Sequence, residues 1–356
     1  MKFYGIKRLT WENIADPLYI FIDESGTFSG IGNPEPSVST LGALIICSYK
    51  MPKLYKAYGK LRETLPKKGG EVKGSLLNEE QCSAVLAMLR QHEAIFCSSM
   101  IDMADHSLAD VERHRTSGIA ALARNLTNGH TPELRANVSS LQMRMKNFPP
   151  QLYAQMIVTI DLLHRVMEEM IGYHSQRNPK ELSSFHWVID AKQKGLISDW
   201  EDWWSNMIVV WLQAVSIKRP GMLLKVGDYR HFERFFMNEV PEYLSEVVPP
   251  ASDKRATGVD LQKMFREHFT FSSEALPGLE LVDIATNCLR RALVGNLEER
   301  GWLGLRSLMI NRSDCTVRPV ALHFDDRTVS KRYSRVLQVL SEGERSMFTR
   351  HSSERG

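Results

Sequence analysis

Two short apolar runs, far apart in the chain, each close on an aspartate, and they restrict the fold more than any other feature. Pro17 to Ile22 reads PLYIFI and leads into Asp23, and Phe185 to Ile189 reads FHWVI and leads into Asp190. Continuous runs of β-branched and aromatic residues, bounded by turn signals and too short for a buried helix, are the pattern of strands covered on both faces. Such a sheet needs helices on each side, and the rest of the sequence supplies them.

After Asp23 the stretch Glu24-Ser25-Gly26 is expected to break the first strand. A second strand is predicted over 39–48 and a helix over 52–65. Asn78, with Gln81 three residues later, forms a capping box for a helix running to about Gln91. A third strand fits 94–100. From 102 to 177 the spacing is helical, with the longest helices expected over 106–128 and 151–174. The α/β pattern resumes at Phe185. A Trp-rich helix over 199–214 carries its apolar residues at i, i+3, i+4 and i+7, a stripe better suited to a core than to base stacking. Weaker signals predict a strand over 222–226, an aromatic helix around Phe232 to Phe236, a loop over 249–258 and a strand over 265–272. A helix from Pro277 is apolar on most faces yet holds Glu280 and Asp283.

Composition excludes several classes. The chain has 356 residues, room at roughly 150 per domain for about two domains or one elaborated one. Its 45 basic and 42 acidic residues leave a net charge of +3, which neither demands nor forbids nucleic acid. Between 111 and 150, however, six Arg or Lys face only two Glu. That stretch is a solvated helix face or a track for a polyanion. No apolar run approaches the ~20 residues of a membrane span, and the N-terminus lacks the apolar core of a signal peptide. Five cysteines without close pairing fit buried thiols in a reducing compartment, so a cytoplasmic location is expected. There is no phosphate-binding G-x-x-x-x-G-K-[ST] loop, no H-E-x-x-H and no C-x-x-C.

Asp23, Asp190 and Asp283 stand out because each sits where an apolar element ends or packs. A lone aspartate at a strand end is commonly a turn or cap residue. Three in such positions are costly to bury unless a cation or hydrogen bonds compensate. Carboxylates converging at strand ends are what Mg²⁺ or Mn²⁺ requires, since these ions take oxygen ligands and keep open water positions. Glu24 should point to the opposite face from Asp23. Glu71 and Lys73, after a Gly-Gly turn, are either a further ligand with a phosphate contact or a surface ion pair. Glu280 shares a helix face with Asp283 and is either a ligand or a charge favoured by the helix dipole. Arg290 and Arg291 either reach phosphates or lie along the helix end.

The segments FIDESG (21–26), EVKGS (71–75), FHWVID (185–190) and PGLELVDIATNCLRRAL (277–293) together resemble the DUF3800 family, a group of bacterial and phage proteins. The resemblance spans roughly 17–325, with 102–182 as a helical insertion within it and 326–356 as a basic C-terminal helix and tail. It implies an α/β, RNase H-like mixed sheet flanked by helices, with Asp23, Asp190 and Asp283 as its metal-binding acids. The chain departs from the family pattern at Glu280-Leu281-Val282-Asp283, where Q-x-A-D is usual. Glu71 also precedes the third strand, whereas RNase H enzymes carry their helix acid after it.

The expected function is therefore a nuclease or related phosphoryl-transfer enzyme dependent on Mg²⁺ or Mn²⁺. Asp23, Asp190 and Asp283 would hold the metal, Glu71 and Glu280 would extend the shell, and Lys73, Arg290 and Arg291 would contact the substrate backbone. The alternative is a nucleic-acid-binding or phage-defence component that keeps the fold without catalysis. A purely structural role for the Met- and Trp-rich helices is the third reading. No membrane partner is expected, and the sequence carries no signal of oligomeric state.

Overall fold

A computed structural model describes residues 17–124, 126–191, 199–219, 221, 223–237, 239, 258–312, 315–325, 333–342 and 345–349. The chain starts with β1 (Leu18–Ser25) and β2 (Val38–Cys47), followed by α1 (Met51–Arg62). A two-rung hairpin, β3 (Lys67–Lys68) and β4 (Glu71–Val72), leads to α2 (Glu79–Gln91) and β5 (Ile95–Asp102). Three helices follow: α3 (Leu108–Ala123), α4 (Pro132–Lys146) and α5 (Pro150–His174). Then come β6 (Phe185–Asp190), α6 (Asp199–Asn206), α7 (Ile208–Lys218), α8 (Leu261–Arg266), β7 (Phe269–Ser272) and α9 (Pro277–Leu293). The last elements are α10 (Glu299–Trp302), β8 (Ile310–Asn311), β9 (Val317–Pro319), α11 (Ser334–Ser341) and β10 (Arg345–Ser346).

The main sheet has six strands in the order β7-β6-β1-β2-β5-β9. Strands β1, β2 and β5 form an antiparallel meander, while β6 runs parallel to β1, β7 parallel to β6 and β9 parallel to β5. The sheet is mixed and covered on both faces, as the continuous apolar runs require. Alternation along β1 divides the core in two. Leu18, Ile20 and Ile22 pack with Trp187 and with α5, whereas Tyr19 and Phe21 pack with α1, α2 and α9. Asp23 continues the second set and so faces α9. The parallel register pairs Ile22 with Ile189, so Asp23 and Asp190 occupy the next position along adjacent strands.

Helix α9 can lie close over this face because β2 carries Gly42 there. A β-carbon on Gly42 would come within 2.1 Å of the Thr286 hydroxyl oxygen and 2.7 Å of the Phe96 ring. On the other face α5 is buried along most of its length. Its charged residues are paired internally: Arg165 donates to the carbonyls of Cys315 and Thr316, and the Cys97 thiol donates to Glu169. The last helix of the expected insertion is therefore a wall of the main core, not an appendage.

Several local expectations need correction. Strand β1 runs two residues past Asp23, because Glu24 and Ser25 still pair with Leu41 and Thr40. Helix α3 stops at Ala123. The Trp-rich helix is two helices joined at Met207, although Met207 N–H still reaches the Trp203 carbonyl at 2.8 Å. Trp200, Trp203, Trp204 and Trp211 are buried, as a core stripe should be. No strand forms over the described residues of 222–226; Gly227 N–H closes a turn onto the Leu224 carbonyl, and the Tyr229 hydroxyl clamps it. The aromatic helix is a single 3₁₀ turn, Glu233–Phe235, whose rings anchor it in the core. The strand expected over 265–272 begins only at Phe269, after α8. Most of the 249–258 loop and the end of the tail lie outside the described residues.

Candidate functional site

The predicted acids meet in one small cleft at the end of β1 and β6. Asp23, Glu71, Lys73, Asp190, Glu280 and Asp283 all line it, together with Glu274 and Leu279. Three separate elements deliver the aspartates. Asp23 comes from β1, where the Glu24 amide donates to its Oδ1 at 2.8 Å. Asp190 is the last residue of β6. Asp283 comes from α9 and accepts from the Gly74 amide at 2.7 Å.

Gly74 is required at its position. A β-carbon there would sit 2.7 Å from Asn287 Cβ and 2.9 Å from the Ile284 backbone. Its absence lets the 71–76 segment press onto α9 and hands an amide proton to Asp283. The same segment aims Glu71 and Lys73 into the cleft, where they pair at 2.6 Å.

The electrostatics show crowding. Burial pushes the Asp190 carboxyl up to about 6; Lys73 opposes the rise, while Glu71 and Asp283 add to it. Burial also raises Asp283, against the Gly74 amide and Lys73. Burial works against the Lys73 charge, but the Glu71 hydrogen bond and the charges of Asp283, Glu71 and Asp190 outweigh it, so its pKa is raised. Carboxylates held near one another in a part-dry cleft are stabilised by added positive charge.

Glu280 lines the cleft but is held by partners from other elements. Both of its oxygens are occupied. Arg62 donates from Nε to Oε2 and from Nη2 to Oε1, each at 2.7 Å, the Tyr58 hydroxyl adds a bond at 2.8 Å and the Val72 amide one at 3.1 Å. Burial alone would raise the Glu280 pKa, but these donors bring it below its usual value. Arg62 Nη2 also reaches the Gly70 carbonyl at 2.6 Å. Glu280 is thus an anchor that ties the β3–β4 hairpin to α9. Arg290 and Arg291 do not line the cleft. Arg290 donates to the Val38 carbonyl at 2.8 Å, and Arg291 to the carbonyls of Leu77 at 2.6 Å and Gly74 at 3.3 Å. Their guanidinium groups secure backbone beside the site, and Arg291 holds the loop that presents Lys73.

Two participants were not predicted. Glu274 lies two residues past Ser272, the β7 partner of Asp190. It repeats the signal of an acid just beyond a strand. Arg62 is on α1, 218 residues before its partner, and nothing local marks it. The basic insertion is partly neutralised: Arg115 pairs with Glu112 and Arg144 with Asp202.

The cleft offers carboxylate oxygens, the donor set of a hard divalent cation. Among the described residues, however, no three His, Cys, Asp or Glu side chains are gathered tightly enough to form a ready metal shell. Within this arrangement Lys73 supplies the counter-charge. Also among the described residues, no helix is long and apolar enough to cross a membrane. Comparison with protein-family models, curated proteins and solved structures found no match.

Proposed function

We propose that the chain is a divalent-metal-dependent nuclease or related phosphoryl-transfer enzyme with an RNase H-like fold, as the DUF3800 resemblance implies. The observation that carries this reading is the convergence of Asp23, Asp190 and Asp283 from β1, β6 and α9 beside Glu71 and Lys73. The mixed sheet supports it too, since two adjacent central strands each bring an acid to the same end.

In this proposal Asp23, Asp190 and Asp283 hold the cation, and Glu71 is free to join them once Lys73 turns toward substrate. Mg²⁺ or Mn²⁺ bound there would neutralise phosphate charge and make a water molecule more acidic. Lys73 contacts a non-bridging phosphate oxygen as a point charge. The Gly74 amide fixes the Asp283 carboxylate, and the Arg62–Glu280 anchor sets the hairpin that presents Glu71 and Lys73. The substrate is a nucleic-acid backbone, drawn by positive charge irrespective of base sequence. Five free cysteines support a cytoplasmic setting.

A second reading, nucleic-acid binding without catalysis, rests on the stretch 111–150, where six Arg or Lys face two Glu. The test is incubation of purified protein with Mn²⁺ and single- or double-stranded DNA or RNA. The nuclease reading expects cleavage of at least one form, reduced about 100-fold or more in Asp190→Asn. Intact substrates of every form, with salt-sensitive binding unchanged in Asp190→Asn, would select the second reading.

A further inference from the structure

Away from the acid cleft, α3, α4, α6, α7 and α8 line an open cavity of about 490 Å³. This is an ordinary volume for a small-molecule site, roughly 300–1,000 Å³. Its walls are mainly apolar, with Leu122, Val138, Leu141 and Val209 among them. No Asp or Glu is among the described residues that line it.

Two cations interrupt the apolar wall, beside the uncharged polar residues Asn137, Ser205, Asn206, Gln213 and Gln262. Arg124, just past α3, and Arg266, the last residue of α8, both line the cavity and are exposed, which sets them at its mouth. Neither guanidinium has a hydrogen-bond or ion-pair partner among the described residues, whereas nearby Arg115 and Arg144 are both paired. Trp211 adds an aromatic ring to the wall and is only 7% exposed.

An apolar wall and two cations without partners among the described residues, with no anion among the described lining residues, call for one chemistry. We propose that this cavity binds an amphipathic organic anion of the medium-chain carboxylate class. The hydrocarbon body lies against Leu122, Val138, Leu141 and Val209, and the carboxylate is drawn to Arg124 and Arg266. The site is independent of the acid cluster, so either can fail without the other.

The test is calorimetric titration of the full chain with decanoate below its micelle concentration, and with 1-decanol as the neutral counterpart. The expected result is saturable binding of one decanoate per chain. Arg124→Glu combined with Arg266→Glu should weaken it by about ten-fold. Val209→Trp and Leu141→Trp, which fill the cavity, should abolish it while circular dichroism shows the fold retained. Absence of saturable binding to the wild type would overturn the site. So would unchanged affinity in a folded cavity-filling variant. Equal affinity for 1-decanol and decanoate, or no effect of the charge reversals on surfaces that tolerate them, would overturn the anion assignment.

Discussion

Removal of Arg62 should destabilise the protein through the carboxylate it leaves behind. The Glu280 side chain is 4% exposed and that of Arg62 29%. In Arg62→Ala two charged hydrogen bonds to Glu280 and one to the Gly70 carbonyl are lost. The buried carboxylate keeps only the Tyr58 hydroxyl and the Val72 amide. Breaking a buried pair from one side costs about 3–5 kcal/mol. The lower end applies, about 3 kcal/mol, because the Arg62 side is open enough for water to replace part of the guanidinium. The assay is urea unfolding followed by circular dichroism at pH 7.5. The pH dependence follows from the direction of the shift. Glu280 is held below its usual pKa, so its stabilisation is present above the unfolded-state value, about 4.3, and disappears as pH falls through the lower folded-state value. Wild type and Arg62→Ala should therefore draw together in acid. Arg62→Met with Glu280→Leu should recover most of the lost stability, since neither charge is then stranded. A loss below about 1 kcal/mol at pH 7.5, or one that does not shrink in acid, would refute the reasoning.

Two other outcomes follow from the site. With divalent ions chelated, Asp190→Asn should stabilise the protein at pH 7.5 by up to about 3 kcal/mol and change little near pH 4. The sign follows because the Asp190 carboxyl is raised to about 6, so its ionised form opposes folding from the unfolded-state value upward. Urea midpoints at the two pH values measure this, and equal effects at both would contradict the crowding argument. Gly74→Ala should cost about 1–3 kcal/mol, since the new methyl meets the α9 backbone and must move the 71–76 segment. The same variant should bind Mn²⁺ more weakly, because Asp283 loses its amide anchor, and unchanged stability and metal affinity would count against a close approach at this position.

Much of the site was legible because its acids sit in apolar surroundings that a sequence displays directly. Asp23 and Asp190 follow unbroken strand runs, and Asp283 interrupts an otherwise buried helix, so each looked costly without a partner. The Asn78–Gln81 capping box was also readable, since both of its bonds are local and both form. The partners of Glu280 were not legible, for the opposite reason. Its helical spacing from Asp283 was visible, but its partners Arg62 and Tyr58 lie on α1, more than 200 residues earlier. Arg290 and Arg291 were similarly ambiguous, because a charge near a helix end does not reveal which carbonyls will fold against it. The break at Met207 was hidden within a continuous helical stripe. The role of Lys73 beside Glu71 depended on how far Gly74 lets the hairpin approach α9, a tertiary distance rather than a pattern.

Calorimetric titration of Mn²⁺ into the wild type and into Asp23→Asn with Asp190→Asn decides whether the cleft between β1, β6 and α9 is the proposed divalent-metal site. Saturable binding that vanishes in a folded double variant is the predicted result. Binding that persists unchanged in that variant, or a wild type that takes up no Mn²⁺ with or without nucleic acid, would contradict it.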